Sequence, residues 1–249
     1  MNCLTLQNLQ SIVVKIFFLF ILFWLTSPIL QAQSTSPSPD QPGSSFVQMN
    51  DVSGKPIPSS DRLGIEGTPM LFPTWSIGAV QFKNGTQARG LELEYSLIND
   101  QLHFKREGAA YLFADTISAF TLLNNQNGTE EKVSFRRVFH IPEEKSDAQF
   151  YQIMEDGKNV QVLKHMTKKV EEEYVYNLPP RKFYALSEEW WILDVRKNKL
   201  FKVNNKKKSL LDALPDYAQS IDQLSAGNKS KNSYTNDELI VIAKSLNSL

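Results

Sequence analysis

The sequence predicts an α+β protein that is mostly β: an antiparallel β-meander of about ten strands, rolled into a sheet roll or partly open barrel, followed by two or three short C-terminal helices. Three observations carry this. From Thr68 onward, aromatic and β-branched residues alternate with polar ones in runs of about five to nine residues, the period of a half-buried strand. Turn dipeptides separate those runs, Asn84-Gly85 and Asp156-Gly157 foremost, because both residues of a tight hairpin turn favour positive φ. After Asn204 the apolar spacing changes to the three-and-four rhythm of an amphipathic helix.

Residues 1–32 precede this region and read as a secretory signal peptide. Lys15 supplies the positive charge, residues 16–25 are uniformly apolar, Pro28 breaks the helix, and Ala32 is the small residue at the expected cleavage point. The apolar run of about 10 residues falls short of the roughly 20 that span a bilayer, so cleavage is expected and no transmembrane domain after it. Cleavage removes Cys3, the single cysteine. The mature chain then has no disulfide, no thiol nucleophile and no cysteine metal ligand. The chain holds 27 basic and 27 acidic residues, and losing Lys15 leaves one more acid than base. Such a balance gives no reason to expect a nucleic-acid partner. The expected location is the periplasm, or the outer membrane and exterior.

Residues 33–67 read as a disordered Ser/Pro-rich linker. Ser34, Ser36, Pro37, Ser38, Pro39, Pro42 and Gly43 offer too little apolar surface to offset the entropy of ordering.

The β domain is expected over residues 68–204. The first strand, 75–83, ends at Asn84-Gly85. Residues 86–97 return with Leu91, Leu93 and Tyr95 on one face and Glu92 and Glu94 on the other. Asn99-Asp100 turns the chain into 101–106, with Leu102 and Phe104 inward and His103 facing water. Residues 110–114 and 116–123 continue the meander past Glu107-Gly108. Residues 132–141 form the next strand, and 148–155 with 158–167 a hairpin about Asp156-Gly157. Residues 182–187, 189–195 and 199–203 complete the pattern.

Residues 205–249 form a helical segment expected to pack on the β domain. Residues 209–214 are helical. Pro215 opens the next helix, where a proline is tolerated, and Leu214, Tyr217, Ile221 and Leu224 share one stripe. Thr235 and Glu238 have the spacing of a capping box, with Leu239, Ile242, Ala243 and Leu246 on the apolar face that follows.

Residues 78–86 and 90–104 together form a hairpin pattern, Gly-Ala-Val-Gln-Phe-Lys-Asn-Gly-Thr followed by Gly-Leu-Glu-Leu-Glu-Tyr-Ser-Leu-Ile-Asn-Asp-Gln-Leu-His-Phe. This resembles a hairpin of small, uncharacterised exported proteins of Bacteroidota, which end in a lysine-rich segment and short helices as residues 206–211 and 237–240 do here. The resemblance covers the pattern of residues 68–249. It implies an exported β-rich fold, assigns no activity, and brings no site residues with it.

No catalytic motif stands out, and no cofactor or metal site is expected. His103, His140 and His165 lack ligand spacing. Glu92 and Glu94 alternate with leucines as a solvated sheet face would. The candidate binding residues are Trp190, Trp191, Arg196, Lys199, Lys202, Lys206, Lys207 and Lys208. Adjacent tryptophans on a strand point to opposite faces, so one belongs to the core and the other packs under the helices or forms a platform. Residues 196–208 carry seven cations and no acid, which suits an anionic glycan or lipid head group, or an envelope protein. Lysines on an edge hairpin also block edge-to-edge pairing without any ligand. The function expected is a non-catalytic binding or structural module of the envelope. The alternatives are a lipocalin-like carrier of a small apolar ligand, which needs an apolar cavity, and a hydrolase with a dispersed site.

Overall fold

Among the described residues, twelve strands form one mostly antiparallel, unclosed sheet with three short helices at its C-terminal end, as the alternation and turn signals predict. The computed structural model describes residues 52–57, 64–126, 129–138, 149–225 and 232–249, all within the unit Gly43–Leu249. The signal segment, residues 33–51 and 58–63 of the linker, residues 127–128, His140 and residues 142–146 lie outside the described residues. Among the described residues no helix is long and apolar enough to cross a membrane.

Strands β1 (Gly54–Pro56) and β2 (Ile65–Glu66) fall inside the stretch expected to be linker. β1 pairs with β6 (Ala109–Phe113), and the neighbouring Val52 is only 3% exposed, so this part of the Ser/Pro-rich stretch is tied into the core. Composition averaged over residues 33–67 hid the buried Val52.

β3 (Ser76–Phe82), β4 (Gln87–Ser96), β5 (Gln101–Arg106) and β6 form successive hairpins. The chain then departs from a simple meander. β7 (Ile117–Gln126) leaves β6 and pairs with the free side of β3. The link is only residues 114–116, and Lys83 donates its N–H to Thr116 O at 2.8 Å. In a flat sheet β3 and β6 would stand roughly 14 Å apart, three spacings of about 4.8 Å. The Phe82 and Phe113 ring centroids are 6.0 Å apart, so the sheet curls until these strands meet.

The curl encloses the first core. Val80, Leu91, Leu93, Tyr95, Phe104, Phe120, Leu122 and Phe135 fill it, joined by Val133 of β8 (Thr129–Val138) and Phe150 of β9 (Gln149–Asp156). Phe120 stacks on Phe135 with centroids 4.7 Å apart and meets Phe150 edge-on at 4.9 Å. Edge-to-face and offset pairs of this kind add to plain area burial.

β10 (Val160–Glu173) and β11 (Arg181–Asp194) are longer than the alternation suggested, and pair along their whole length. β9 pairs with β10 only between Gln161 and Lys164, so the far half of the hairpin extends as a ribbon. Glu172–Lys182 at 2.8 Å and Arg181–Glu66 at 2.7 Å lace its end, where β2 runs parallel to β11. β12 (Lys199–Val203) closes the order at the other side of β11.

The helices form a second core on the β10–β12 end. α1 (Lys207–Ala213), a 3-10 turn at Pro215–Tyr217, α2 (Ala218–Ser225) and α3 (Asn236–Asn247) bury Leu210, Leu214, Tyr217, Ile221, Leu239, Ile242 and Leu246 against Val160, Val162, Ile192 and Val203. Pro215 opens its turn as expected, and Thr235 and Glu238 make the reciprocal capping box. Leu224, near the C-terminal end of α2, is 48% exposed and does not join the stripe.

Candidate functional site

The two tryptophans separate as strand geometry demands. Trp190 lies opposite Lys164 and Val203 and packs against the helix-covered core, with Lys164 Nζ 5.9 Å from its ring centroid. Trp191 points to the other face and meets Tyr151 edge-on, centroids 5.9 Å apart. Both are half-buried, and each is engaged by a neighbour.

Most cations of residues 196–208 already have acidic partners. Lys197 Nζ is 2.6 Å from Asp216, and Arg196 lies over the Tyr217 ring at 4.7 Å. Lys202 bonds Glu189 at 2.6 Å, which holds the Glu189 carboxyl below its usual range. Lys207 bonds Asp222 at 2.6 Å, and that hydrogen bond raises the lysine above its usual range. Lys199, Lys206 and Lys208 have no ion pair among the described residues.

The fold gathers three of the candidate lysines at one place. Lys202, Lys206 and Lys208 line a surface hollow of about 380 Å³ with Phe201, Asn204, Ser209 and Asp212. Local hydrogen bonds shape it. Asn204 Oδ1 accepts from the Lys206 N–H at 3.0 Å, and Ser209 Oγ accepts from the Asn204 N–H at 3.2 Å. Such side-chain-to-backbone bonds turn the chain from β12 into α1. Tyr234 N–H donates to Asn205 O at 2.6 Å and Lys207 N–H to Asn232 O at 2.9 Å, which fixes the strand-to-helix corner against the chain entering α3. The hollow offers ammonium groups, an amide and a hydroxyl, with Asp212 the one carboxylate in its lining. It can hold phosphate or carboxylate oxygens through charge-assisted hydrogen bonds. Arg196 and Lys199 sit at the far turn of the β11–β12 hairpin and Lys207 turns to α2, so these three stay outside.

Two clusters escaped the sequence reading. His103 does point out of the roll, but it is only 5% exposed, and its Nδ1 lies 3.0 Å from Glu94 Oε1. Glu94 on β4 and Leu112 on β6 flank it in register, so the expectation that it faces water fails. Asp100, read only as a turn residue, reaches into the fold. Its carboxylate accepts the Tyr95 hydroxyl at 2.5 Å and the Phe150 N–H at 3.3 Å. Burial pushes the Asp100 carboxyl up, and the Tyr95 hydroxyl well up. These bonds pin the β4–β5 turn to β9. Among the described residues, no group of three or more histidine, cysteine or acidic side chains is placed to hold a metal ion.

No protein-family profile, no curated protein and no solved structure matches this chain.

Proposed function

We propose that the protein is an exported, non-catalytic binding module of the bacterial cell envelope, and that the lysine hollow between β12 and α1 is its contact site. Its ligand is an anionic group, the phosphate or carboxylate of an envelope glycan or lipid head group. The observation that carries this reading is the convergence of Lys202, Lys206 and Lys208 on one hollow, with Lys206 and Lys208 free of ion pairs among the described residues. Unpaired cations on a shaped surface raise the local concentration of anions, and they attract less as salt rises. Export rests on the order of charged, apolar and small residues in 1–32.

The carrier reading is weaker. The interior of the roll is occupied by Tyr95, Phe104, Phe120, Phe135 and Phe150, which take the space a lipocalin-like ligand would need. Binding of lipopolysaccharide vesicles and of a polycarboxylate glycan, with and without Lys206→Glu and Lys208→Glu, tests the proposal and separates a lipid from a glycan source.

A further inference from the structure

One edge of β11 is left open between two partners. β10 covers the other edge along all 14 residues, in a register without a slip. On the open side β2 reaches Lys182 and Phe183, and β12 pairs from Trp190 onward. Residues 184–189 between them form a notch about 20 Å long, at roughly 3.3 Å per residue. Local chemistry fixes both walls. Gly67 takes φ 86° and turns the chain off the edge after Glu66, toward Met70 and its bridge to Ser96. Asn204 and Ser209 turn it into α1 after Val203.

The floor of the notch is unpaired backbone. Val195 N–H donates to Asn159 O at 3.0 Å, in line with the β10–β11 register, while Lys168 N–H turns away from β11 to Leu97 O at 3.0 Å. Alternation in an antiparallel ladder then directs Ala185, Ser187 and Glu189 to β10, and the N–H and C=O of Leu186 and Glu188 into the notch. No described residue pairs with these groups. Two devices that blunt an edge, proline and a bulge, are absent from residues 184–189. The charges nearby are already engaged. Glu188 is held by Lys164 at 3.2 Å and Glu189 by Lys202 at 2.6 Å, and Lys168 Nζ donates to Thr68 O and Met70 O. Leu186 is 52% exposed.

We infer that the notch binds a short extended peptide segment of another protein, which adds a strand between β2 and β12. Alternating donors and acceptors match a polypeptide backbone, and neither a glycan nor a lipid head group carries that ladder. The walls select the length of the guest. About six residues fit, and the chain must leave the sheet at both ends. The β11 of a second copy, 14 residues long, would strike β2 and β12 before its edge reached the floor. A guest residue opposite Leu186 lies on the same face as that exposed leucine, so an apolar side chain is preferred there. This inference does not rest on the lysine hollow.

Amide exchange and peptide selection on the purified protein test it. In the free protein the Leu186 and Glu188 amides are expected to exchange about tenfold or more faster than those of Ala185 and Ser187. Hexapeptides selected from a randomised phage-displayed library are expected to protect those two amides. Their binding is lost in Leu186→Pro, which removes one outward N–H at a position where an edge strand tolerates proline. Thermal melting checks that this variant folds. N-methylation of alternate peptide residues reads the same ladder on the wild-type protein: one phase abolishes binding and the other spares it. Slow exchange at Leu186 and Glu188 in the free protein, failure to select any peptide, or binding indifferent to the phase of N-methylation overturns the inference. Self-association of the wild type that Leu186→Pro removes overturns it too, and assigns the notch to a second copy.

Discussion

Asn247, at the end of α3, fills the space beside Gly157 that any other side chain at that position would take. Its Oδ1 accepts the N–H groups of Asn159 and Val160 at 3.0 and 2.9 Å, and its Nδ2 donates to Val160 O at 2.9 Å. The amide thus imitates a strand partner for the start of β10. It locks the last helix onto the β9–β10 turn, and glycine leaves the room for it.

Gly157→Ala and Asn247→Ala remove the same lock. Each is expected to cost about 1–3 kcal/mol, the cost of leaving buried backbone donors unpaired. The double variant is expected to cost little more than either single one, because the second change finds nothing left to displace. Urea unfolding of the four proteins measures the coupling. Strict additivity would mean that glycine and asparagine act separately.

Thr235 accepts the Glu238 N–H at 3.2 Å while Glu238 accepts the Thr235 N–H at 2.7 Å. Thr235→Ala is expected to lower stability by about 1 kcal/mol, and Thr235→Ser to restore most of it. Thermal melts of the two variants decide whether the cap or the threonine methyl matters.

Alkaline stability follows from buried phenols. Burial, then the charges of Glu189 and Asp100, push the Tyr151 hydroxyl up to about 12. Tyr95 is raised well above its usual value and Tyr217 is raised too, both by burial first. An unfolded tyrosine titrates near pH 10. Above that the unfolded chain releases protons that the native state keeps, so stability is whole below about pH 10 and is lost as pH rises toward the folded values. Tyr151→Phe is expected to flatten the slope of unfolding free energy between about pH 10 and pH 12. An unchanged slope would show that Tyr151 ionises freely in the folded protein.

The acid side has the same sign from another group. Burial raises the Asp100 carboxyl, against the opposing hydrogen bonds from Tyr95 and Phe150. Its contribution is whole below the unfolded value of about 3.9 and is lost as pH rises through the folded one. Asp100→Asn keeps an acceptor for both donors and does not titrate. The variant is therefore expected to gain on the wild type between about pH 4 and neutrality. Chemical denaturation across that range would show the gain, and parallel curves would count against it.

The strands were legible because each half-buried run writes its own period, and Asn84-Gly85 and Asp156-Gly157 mark where turns fall, although of these four residues only Gly85 takes the expected positive φ. The order of strands was not. Alternation says which face a residue takes, not which strand lies beside it, so the return of β7 to β3 left no local mark. Asn247 and Gly157 are likewise silent, being joined only by the packing of α3. The lysine run was visible, but the choice among its members was not. Acids at Glu189, Asp216 and Asp222, distant in sequence from some of their partners, decide which cations are spent in ion pairs.

Anion binding at the lysine hollow is the central claim, and equilibrium binding of lipopolysaccharide vesicles to the purified protein tests it most directly. Salt-sensitive binding is expected in the wild type. Lys206→Glu with Lys208→Glu is expected to weaken it about tenfold or more, equivalent to roughly 1.4 kcal/mol. Lys199→Glu, half that charge change and outside the hollow, is expected to leave it near the wild-type value. Undiminished binding in the double variant, or an equal loss on changing Lys199, would contradict a built site there.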